Sequence, residues 1–465
     1  MAILRPSTWF SNKQNKNVNK YNQAFFKWLG GGYTSYDTDN ATYIDKGFNY
    51  NPVVFSVVNQ RAKKVGSVPF TIKEIEDENV KKQRDTLLNA TKYNLTPQQE
   101  IKRRLFENKA FKQGYKEMPL DRPNPLQTWV EFFELAETFL ATIGDVYIYL
   151  QSPEIGNNAG VPVAWYLLPS HLTEIVLKSN VDFQSIESPV SHYLLTEGNQ
   201  YIQFEAENTI HIKYSNPNYD DNGSHLYGQS PLRAALRNIQ SSNEAIDLNN
   251  KALKSGGAFG LIHSKGQSPL TPPQAEQLKE RLKEMDSGDG RLDKIAGVSA
   301  EVGFTRLSLT TDELKPFDYL GYDEKQICNV LGWSDKLLNN DAGAKYDNVN
   351  QFRKQVVTDT IQPDLNLIQE AINSQILPRY KGYEGACFEF DVTELPEMQQ
   401  DVASMTDWLK ESLDRGVINR NEFRIALRYE SVEDKNMEIF TVASDIITLE
   451  QAIHDMPLLE PKQPL

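Results

Sequence analysis

The sequence contains little of what secreted proteins and membrane proteins need. Of its 465 residues only Cys328 and Cys387 are cysteines. Both stand in apolar surroundings, which indicates buried thiols in a reducing compartment, with a disulfide between them as the less favoured alternative. No apolar run approaches the roughly 20 residues that span a bilayer, and the first residues lack a hydrophobic segment of signal-peptide length. We therefore expect a protein that acts where it is made and does not enter a membrane.

The chain is also short of positive charge. Its 49 Lys and Arg against 63 Asp and Glu leave a net charge of −14. This balance argues against tight, non-specific binding of nucleic acid through a basic face, but it is compatible with a protein past which DNA slides. The exception is the stretch 81–116, with ten Lys and Arg and three Asp and Glu. A solvated helical pair is the favoured interpretation of that stretch, and a contact with nucleic acid or a partner is the alternative.

Motifs for catalysis, nucleotide binding and metal binding are missing from the sequence. No Gly-x4-Gly-Lys-Ser/Thr loop occurs, and Gly256-Gly257 follows a helical segment, which indicates a helix stop. The six histidines lack metal-ligand spacing, and His211 in a strand indicates a half-buried structural side chain. The acidic stretch 286–293 lacks the alternating ligands and closing Glu of a calcium loop. We predict no catalytic residue, no cofactor and no metal.

The hydrophobic pattern that is present predicts an α+β protein. Residues 1–50 are rich in Asn, Tyr, Ser and Gly, which indicates an extended N-terminal arm. Residues 51–229 predict a mostly antiparallel sheet supported by helices and interrupted by a polar helical insert at 75–117. The first helix of this region carries one apolar stripe that includes an arginine: Val54, Val57, Val58, Arg61, Ala62 and Val65.

A second type of helix is predicted for residues 230–255, with Ser230 as N-cap and Pro231 as the first helical residue. Its apolar residues form a narrow seam at intervals of seven: Leu232, Ile239, Ile246 and Leu253. Because a globular core helix normally has a wider apolar stripe, this seam predicts a helix that packs beside copies of itself. Residues 256–310 have few large apolar side chains, so we expect this small module to complete its core with neighbours.

The stretch 311–378 organises the rest of the chain. It predicts a helix at 311–332, a loop at 333–345 and a long helix at 346–378 with Pro363 in its middle. Because proline lacks an N–H and its ring presses on the carbonyl of residue 359, we expect the long helix to bend there. The end of the loop is polar and small: Asn339, Asn340, Asp341, Ala342, Gly343, Ala344 and Lys345. This layout indicates a mechanical role rather than a catalytic centre.

The order of these parts resembles the portal proteins of tailed double-stranded-DNA bacteriophages, in the long-tailed-phage version. Each matching segment is weak alone, but their order and spacing over most of residues 50–430 are specific. The segments are Pro52 to Phe55, Val68-Pro69-Phe70, Arg122 to Pro125, Gly144 to Ile148, Ile210 to Lys213, Tyr227 to Leu232, Ile327 to Gly332, Asn348 to Phe352, Gln362-Pro363 and Gly416 to Arg424. Two features depart from the family pattern: the insert 75–117 is longer, and Trp333-Ser334 stands where Val-Pro is usual.

The resemblance implies a portal fold with wing, stem, clip and crown that assembles as a ring. The implied parts are the arm 1–50, the wing 51–229 with its strand return 379–397, the stem helices 230–255 and 311–332, the clip 256–310, the tunnel loop within 333–345, the long kinked helix 346–378, the crown 398–430 and a C-terminal tail 431–465.

The resemblance also implies a function and partners. About twelve subunits would form a ring at one capsid vertex of the virion, after assembly in the host cytoplasm. Double-stranded DNA would pass through it during packaging and ejection, and the major capsid protein, the terminase large subunit and a head–tail adaptor or connector protein would bind it. Twelve copies at −14 give about −168, which repels phosphate, and the small residues Ala342, Gly343 and Ala344 let a loop approach DNA closely. Two alternatives stay open: a cytosolic enzyme with an acidic site, and a ring-forming scaffold not connected with DNA.

Overall fold

The computed structural model combines helices with small antiparallel sheets. It describes residues 40–93, 95–156, 159–178, 188–197, 200–218, 224–255, 260–264, 273, 276, 302–306, 316–338, 346–398, 402–427, 429, 432 and 434–440. The helices are α1 (Pro52–Gly66), α2 (Glu78–Thr91), α3 (Pro97–Ala110), α4 (Trp129–Thr142), α5 (Leu232–Ser255), α6 (Pro316–Val330), α7 (Tyr346–Val356), α8 (Gln362–Ala371), α9 (Val402–Asp414) and α10 (Arg420–Ala426). The strands are β1 (Phe70–Glu74), β2 (Asp145–Gln151), β3 (Ala164–Leu168), β4 (Thr173–Leu177), β5 (Val190–Glu197), β6 (Gln200–Glu205), β7 (Thr209–Lys213), β8 (Gly260–Ser264), β9 (Val302–Arg306) and β10 (Ala386–Phe390).

Local sequence signals explain where several helices begin. Asn51 accepts two backbone N–H bonds of 3.1 Å in the first turn of α1, and Pro52 takes the first helical position, where a missing N–H costs nothing. Thr96, Thr128 and Asn419 begin α3, α4 and α10 with reciprocal capping boxes. These caps satisfy backbone groups that the helices themselves leave without partners.

The described strands form small sheets with antiparallel pairing throughout. Their orders are β1-β10, β3-β2-β7, β4-β5-β6 and β8-β9. Strand β10 follows the long helix in the chain but pairs with β1, with Phe70 opposite Phe390 and Glu74 opposite Ala386. The predicted α+β class with a mostly antiparallel sheet is confirmed.

An aromatic core joins α4, the sheet β3-β2-β7, the pair β1-β10 and the long helix. Phe132, Phe133, Trp165 and Phe388 are all buried in one cluster with the apolar residues of α8. The Trp165 indole N–H donates a 2.8 Å hydrogen bond to the Tyr380 hydroxyl, so this large ring is buried without an unpaired donor. Burial of so many rings holds the returning strand β10 firmly on the long helix.

A second core attaches α5 and α6 to α1. Its buried members are Tyr43, Val54, Val57, Val58, Ala141, Leu232, Ala235, Ile239, Ile327, Cys328 and Leu331. Beside it, the Asn238 amide of α5 donates to Asp323 Oδ1 of α6 at 2.7 Å. The two helices are therefore connected by apolar contacts and by a side-chain hydrogen bond.

The loop that leads into α5 is held against the start of β2. Gly144 has φ of +89°, and a Cβ there would lie 2.6 Å from the backbone oxygen of Gln229. Asp145 Oδ1 accepts the N–H of Gly228 at 2.6 Å and lies 2.7 Å from the His211 ring. This close approach needs glycine at position 144, and it fixes where α5 leaves the sheet. His211 is thus a paired structural side chain, as predicted.

Some local predictions differ from the structure. Residues 40–48 were expected in an extended arm but are helical, with Asn40–Thr42 running into π-helical Tyr43–Phe48. Tertiary contacts hold this segment in a helical conformation. Tyr43 is buried in the second core, and the carbonyl of Lys46 accepts a 2.9 Å hydrogen bond from the side-chain amide of Asn243. Helix α5 begins at Leu232, and the Ser230 hydroxyl predicted as its N-cap donates to the carbonyl of Thr142 at 2.5 Å.

Both cysteines are buried free thiols, which confirms that prediction and leaves no disulfide between them. Burial raises the pKa of the Cys328 thiol and of the Cys387 thiol to about 12. Residues 1–39, the acidic stretch 286–293 and most of 256–310 lie outside the described residues, apart from the pair β8-β9 and residues 273 and 276.

Candidate functional site

The candidate site is the junction where α6 ends and the long helix passes it. The predicted loop residues Asn339 to Lys345 lie outside the described residues. The structure shows the two ends of that loop: Leu338, which follows the 3-10 turn Asp335–Leu337, and Tyr346, the first residue of α7. The contact of the loop with DNA therefore stays a prediction, and the elements that anchor the loop can be described.

The predicted seam of α5 divides into two parts. Leu232 and Ile239 are fully buried within their own subunit, against α1 and α6. Ile246 is half-exposed, and the side chain of Leu253 lies outside the described residues. The first two residues thus cannot contact another copy of the chain, because α1 and α6 already cover them. Packing of Ile246 and Leu253 beside a neighbouring copy stays a prediction.

Pro363 lies in the first turn of α8, directly after the π-helical segment Val357–Ile361. The Gln362 N–H donates to the carbonyl of Val357, five residues earlier, so the helix changes its hydrogen-bonding pattern just before the proline. Pro363, which has no N–H to donate, therefore stands at a place where the helical hydrogen-bonding pattern already changes, and the helix does not end there. The long helix then continues through α8 to a second π segment, Ile372–Ile376. The size of any bend at Pro363 stays a prediction.

The C-terminal end of α6 contacts the π segment through Gly332. This glycine has φ of +64°, and the N–H of Trp333 closes the helix end on the carbonyl of Cys328 at 2.8 Å. The Thr360 hydroxyl donates to the carbonyl of Gly332 at 2.7 Å. A Cβ at position 332 would lie 2.4 Å from Thr360 Oγ1. The end of α6 therefore packs directly on the long helix near Pro363.

A buried ion cluster around Arg61 joins five segments at the same junction. We use the name Arg61 cluster for Arg61, Glu137, Tyr214, Asp364 and the carbonyl of Leu331. The Arg61 guanidinium of α1 donates to Glu137 Oε1 of α4 at 2.9 Å, to Asp364 Oδ2 of α8 at 2.5 Å and to the Leu331 carbonyl at 2.6 Å. Tyr214, which follows β7, donates to Asp364 Oδ1 at 2.6 Å. One arginine thus ties α1, α4, α6 and α8 together.

The electrostatics of the Arg61 cluster follow from its burial and its charges. Burial and then the nearby Asp364 carboxylate raise the pKa of Glu137 to about 8, although Arg61 opposes this shift. Burial lowers the pKa of Arg61, but Glu137, Tyr214 and Asp364 outweigh that effect and hold it above its usual range. Burial raises the pKa of Tyr214 well above its usual range. At neutral pH the arginine is charged, the tyrosine is neutral and Glu137 favours its protonated form.

Sequence reasoning placed Arg61 in an apolar stripe but gave it no role. The available signal was a charged residue on the buried face of a helix, which requires a partner. Glu137 gave the same signal, since it stands between Ala136 and Leu140 on the aromatic helix α4. Asp364 directly follows Pro363, yet nothing in the sequence shows that Arg61 and Asp364 meet.

The basic insert lies elsewhere and most of its cations are paired within the subunit. Arg103 binds Glu100 and Glu107, Arg104 binds Glu100, and Arg84 binds Glu389 of β10. A polar cavity of about 470 Å³ lies between the insert, the pair β1-β10 and the long helix. The two helices α2 and α3 confirm the predicted helical pair, but it is not simply solvated, because Arg84, Glu100 and Arg103 are buried. The alternative contact with a partner stays untested.

Within the described residues, neither a metal site nor a membrane helix is found. No group of three or more His, Cys, Asp or Glu in that part of the chain could hold a metal ion. None of the helices searched there is both long and apolar enough to cross a bilayer.

Comparison with solved structures places this fold among chains of gene transfer agent (GTA) particles. One similar chain comes from the neck of an empty GTA particle computed with C6 symmetry, and its sequence is 21% identical to this chain. The structural match covers 86% of this chain and 96% of that chain, with a TM-score of 0.54. For the virion of the native GTA particle the identity is 18%, the coverage 89% and 99%, and the TM-score 0.55. For the native neck computed with C12 symmetry these values are 19%, 87% and 98%, and 0.54. At such identities the likeness shows the shared fold.

The family comparison covers a similar part of the chain. No curated protein matches the sequence. The model of the family described as "Phage portal protein" matches residues 107–427, which is more than half of the chain and runs from α3 to the end of α10. This match confirms the resemblance on which the sequence prediction depended. The chain belongs to the phage portal protein family, whose members are structural proteins of the virion.

Proposed function

We propose that the protein forms a ring of about twelve subunits at one capsid vertex, and that double-stranded DNA enters and leaves the capsid through the ring. The observation that carries this proposal is the family match over residues 107–427. The neck structures with a similar fold, computed with C6 and C12 symmetry, support a ring. On this proposal the subunits assemble in the host cytoplasm and remain in the virion.

The proposed parts of the ring follow the described elements. Helices α5 and α6 form the stem around the channel, β8-β9 and residues around them form the clip, and α9 with α10 forms the crown. At about 1.5 Å per residue the 24 residues of α5 span about 36 Å, a suitable length for a channel wall. The net charge of −14 per subunit argues against tight, non-specific binding of DNA to the ring as a whole. The clip is the docking site for the terminase large subunit first and for a head–tail connector protein later, while the major capsid protein surrounds the wing.

Electron microscopy of the purified full-length chain tests the ring. We expect particles with a central hole and about twelvefold symmetry. Monomers or compact particles without a hole, at the concentrations used for assembly, would contradict the proposal and would favour the enzyme alternative. A ring alone does not separate a portal from a scaffold unconnected with DNA, so a second experiment is needed.

Deletion of Asp341, Ala342 and Gly343 tests the role of the loop in DNA passage. We expect the variant to form rings and capsids but to package or retain less DNA, because the shortened loop no longer reaches the channel axis. The matched control is deletion of Glu154, Ile155 and Gly156, an exposed turn after β2. Full packaging and retention by the loop variant would overturn the tunnel-loop assignment, and an identical defect in both deletions would show a general effect on folding.

A further inference from the structure

The Arg61 cluster contains more negative than positive charge in a fully buried place. Arg61 supplies one positive charge, whereas Glu137 and Asp364 supply two carboxyl groups, and the side chains of all three are less than 7% exposed. The Leu331 carbonyl at the end of α6 adds a further partial negative charge. With both carboxyl groups ionised the cluster would hold an uncompensated buried charge, which protein interiors avoid by binding a proton.

The hydrogen bonds show which carboxyl group takes that proton. Both oxygens of Asp364 accept: Oδ2 from Arg61 and Oδ1 from Tyr214. Glu137 accepts through Oε1 alone, and its buried Oε2 has no hydrogen-bond partner among the described residues. Because hydrogen bonds to the ionised form of a carboxyl group favour ionisation, the carboxyl group with fewer of them, Glu137, is the one that holds the proton.

We propose that the Arg61 cluster is a proton-holding lock between the end of α6 and the long helix, and that opening this junction at neutral pH releases the proton of Glu137 to solvent. The groups that act on Glu137 are Arg61 from α1, Tyr214 from the end of β7 and Asp364 from α8, together with the Leu331 carbonyl beyond α6. Once exposed to water, Glu137 returns to an ordinary carboxyl group, which is ionised at pH 7. Closing the junction takes up one proton, and opening it gives one proton back.

The Arg61 cluster lies at the end of α6, just before the loop between α6 and α7. Release of the Glu137 proton therefore concerns the part of the chain that holds this loop. One nitrogen atom, Arg61 Nη2, lies between the two carboxyl groups. It is 2.8 Å from Glu137 Oε1 and 2.5 Å from Asp364 Oδ2. If Glu137 loses its proton while the junction is closed, two adjacent anions repel, and separating α8 from α4 relieves that repulsion. The same Arg61 binds the Leu331 carbonyl, seven residues before the loop end at Leu338. Release of the lock therefore loosens the anchoring of the loop on the α6 side.

The test compares the pH dependence of unfolding in the full-length chain and in Glu137→Gln. The pKa of Glu137 is raised on folding, so its contribution to stability is present at low pH and declines as the pH rises from about 4.5 to about 8. We expect the ratio of the wild-type to the variant unfolding constant to rise by up to tenfold per pH unit in that window and to level off above it. Glu134→Gln, a half-exposed position on the same helix, is the matched control and keeps the wild-type slope.

Equal pH slopes in the wild type and Glu137→Gln would overturn the proposal. A second measurement uses the unmodified protein, so it does not depend on the variant folding. Infrared difference spectra of the wild-type chain in D₂O should show a protonated carboxyl band at pH 7 that disappears as the pH rises to 9. Absence of that band at pH 7 would equally overturn the lock, whether or not the protein forms a portal ring.

Discussion

Two ion clusters of this protein contain the same types of residue, but they shift the pKa of a buried glutamate in opposite directions. The Arg61 cluster has one arginine for two carboxyl groups. The insert network, by which we mean the ion pairs made by Asp85, Glu100, Glu107 and Glu389, has five cations for these four carboxylates: Lys73, Lys81, Arg84, Arg103 and Arg104. The first cluster has fewer cations than carboxyl groups, whereas the second has more.

This difference in balance reverses the direction of the carboxyl pKa values. In the insert network burial tends to raise the pKa of Glu107, but Arg103 and Lys73 outweigh burial and lower it to about 2. Around Arg61 burial and the second carboxylate prevail, so the pKa of Glu137 rises to about 8. Burial alone therefore does not decide whether an acid keeps its proton. The cations, the other carboxyl groups and the hydrogen-bond donors around the acid decide it together with burial.

The two clusters also differ in how far apart their members lie in the sequence. Arg61 bonds to partners 76, 270 and 303 residues away. Arg103 and Arg104 bond to glutamates three or four residues away on the same helix. We infer that the Arg61 cluster fixes tertiary arrangement, whereas much of the insert network stabilises a local helix.

Replacing Arg61 by Met should have the largest effect on stability. The substitution keeps much of the side-chain volume but leaves Glu137 and Asp364 buried without their cation, which costs about 3–5 kcal/mol of unfolding free energy. Urea unfolding at pH 7 measures this loss. Arg415→Met, which breaks an exposed pair with Glu411, should change stability by about 0–1 kcal/mol.

A double variant shows whether the loss comes from charge or from packing. Adding Asp364→Asn to Arg61→Met removes the carboxyl group that loses its ion pair with Arg61, so part of the stability should return, whereas adding Glu137→Gln should return little at pH 7 because Glu137 already holds a proton there. If Arg61→Met with Asp364→Asn is as unstable as Arg61→Met alone, the loss of the ion pair is not the cause and the comparison between the clusters fails at this point.

Replacing Glu107 by Gln should have a moderate effect with the opposite pH dependence. The pKa of Glu107 is lowered on folding, so its contribution is present above about pH 4.5 and is lost as the pH falls towards 2. The lowering from 4.5 to about 2 corresponds, at about 1.4 kcal/mol per pKa unit, to a loss of roughly 3 kcal/mol for the variant at pH 7. Unfolding curves at pH 3 and pH 7 measure the change, and the gap between wild type and variant should shrink at pH 3. A gap that is constant with pH would contradict the assigned cause.

Much of the fold could be predicted because local signals agree with it. The proline after Asn51, the aromatic stripe of α4 and the alternating strands each depend on residues close in sequence. The helical state of residues 40–48 could not be predicted in this way, since it depends on Tyr43 entering a core formed with α1 and α5. Local composition outweighed a tertiary contact in our prediction of that segment.

The sequence predicted only part of the junction between α6 and the long helix. The proline in the long helix and the glycine after α6 mark a special place, because each changes the backbone locally. The Arg61 cluster unites residues from positions 61 to 364, and a single sequence contains no signal for which buried charges meet. The seam of α5 likewise did not show that Leu232 and Ile239 contact α1 and α6 of their own subunit, while the packing of Ile246 and Leu253 beside another copy stays a prediction.

Replacing Thr360 by Val should have the smallest effect, and it separates neutral from ionic contributions at the junction. The variant keeps the side-chain shape but loses the 2.7 Å hydrogen bond to the Gly332 carbonyl, worth about 1 kcal/mol. Thr358→Val is the matched control, because its hydroxyl bonds only within its own helix, to the carbonyl of Gln355. Amide exchange of Trp333, whose N–H closes the end of α6, should be faster in Thr360→Val than in Thr358→Val. Equal exchange in both variants would mean that the bond from Thr360 does not help to hold the end of α6 on the long helix, and it could then be left out of the description of this junction.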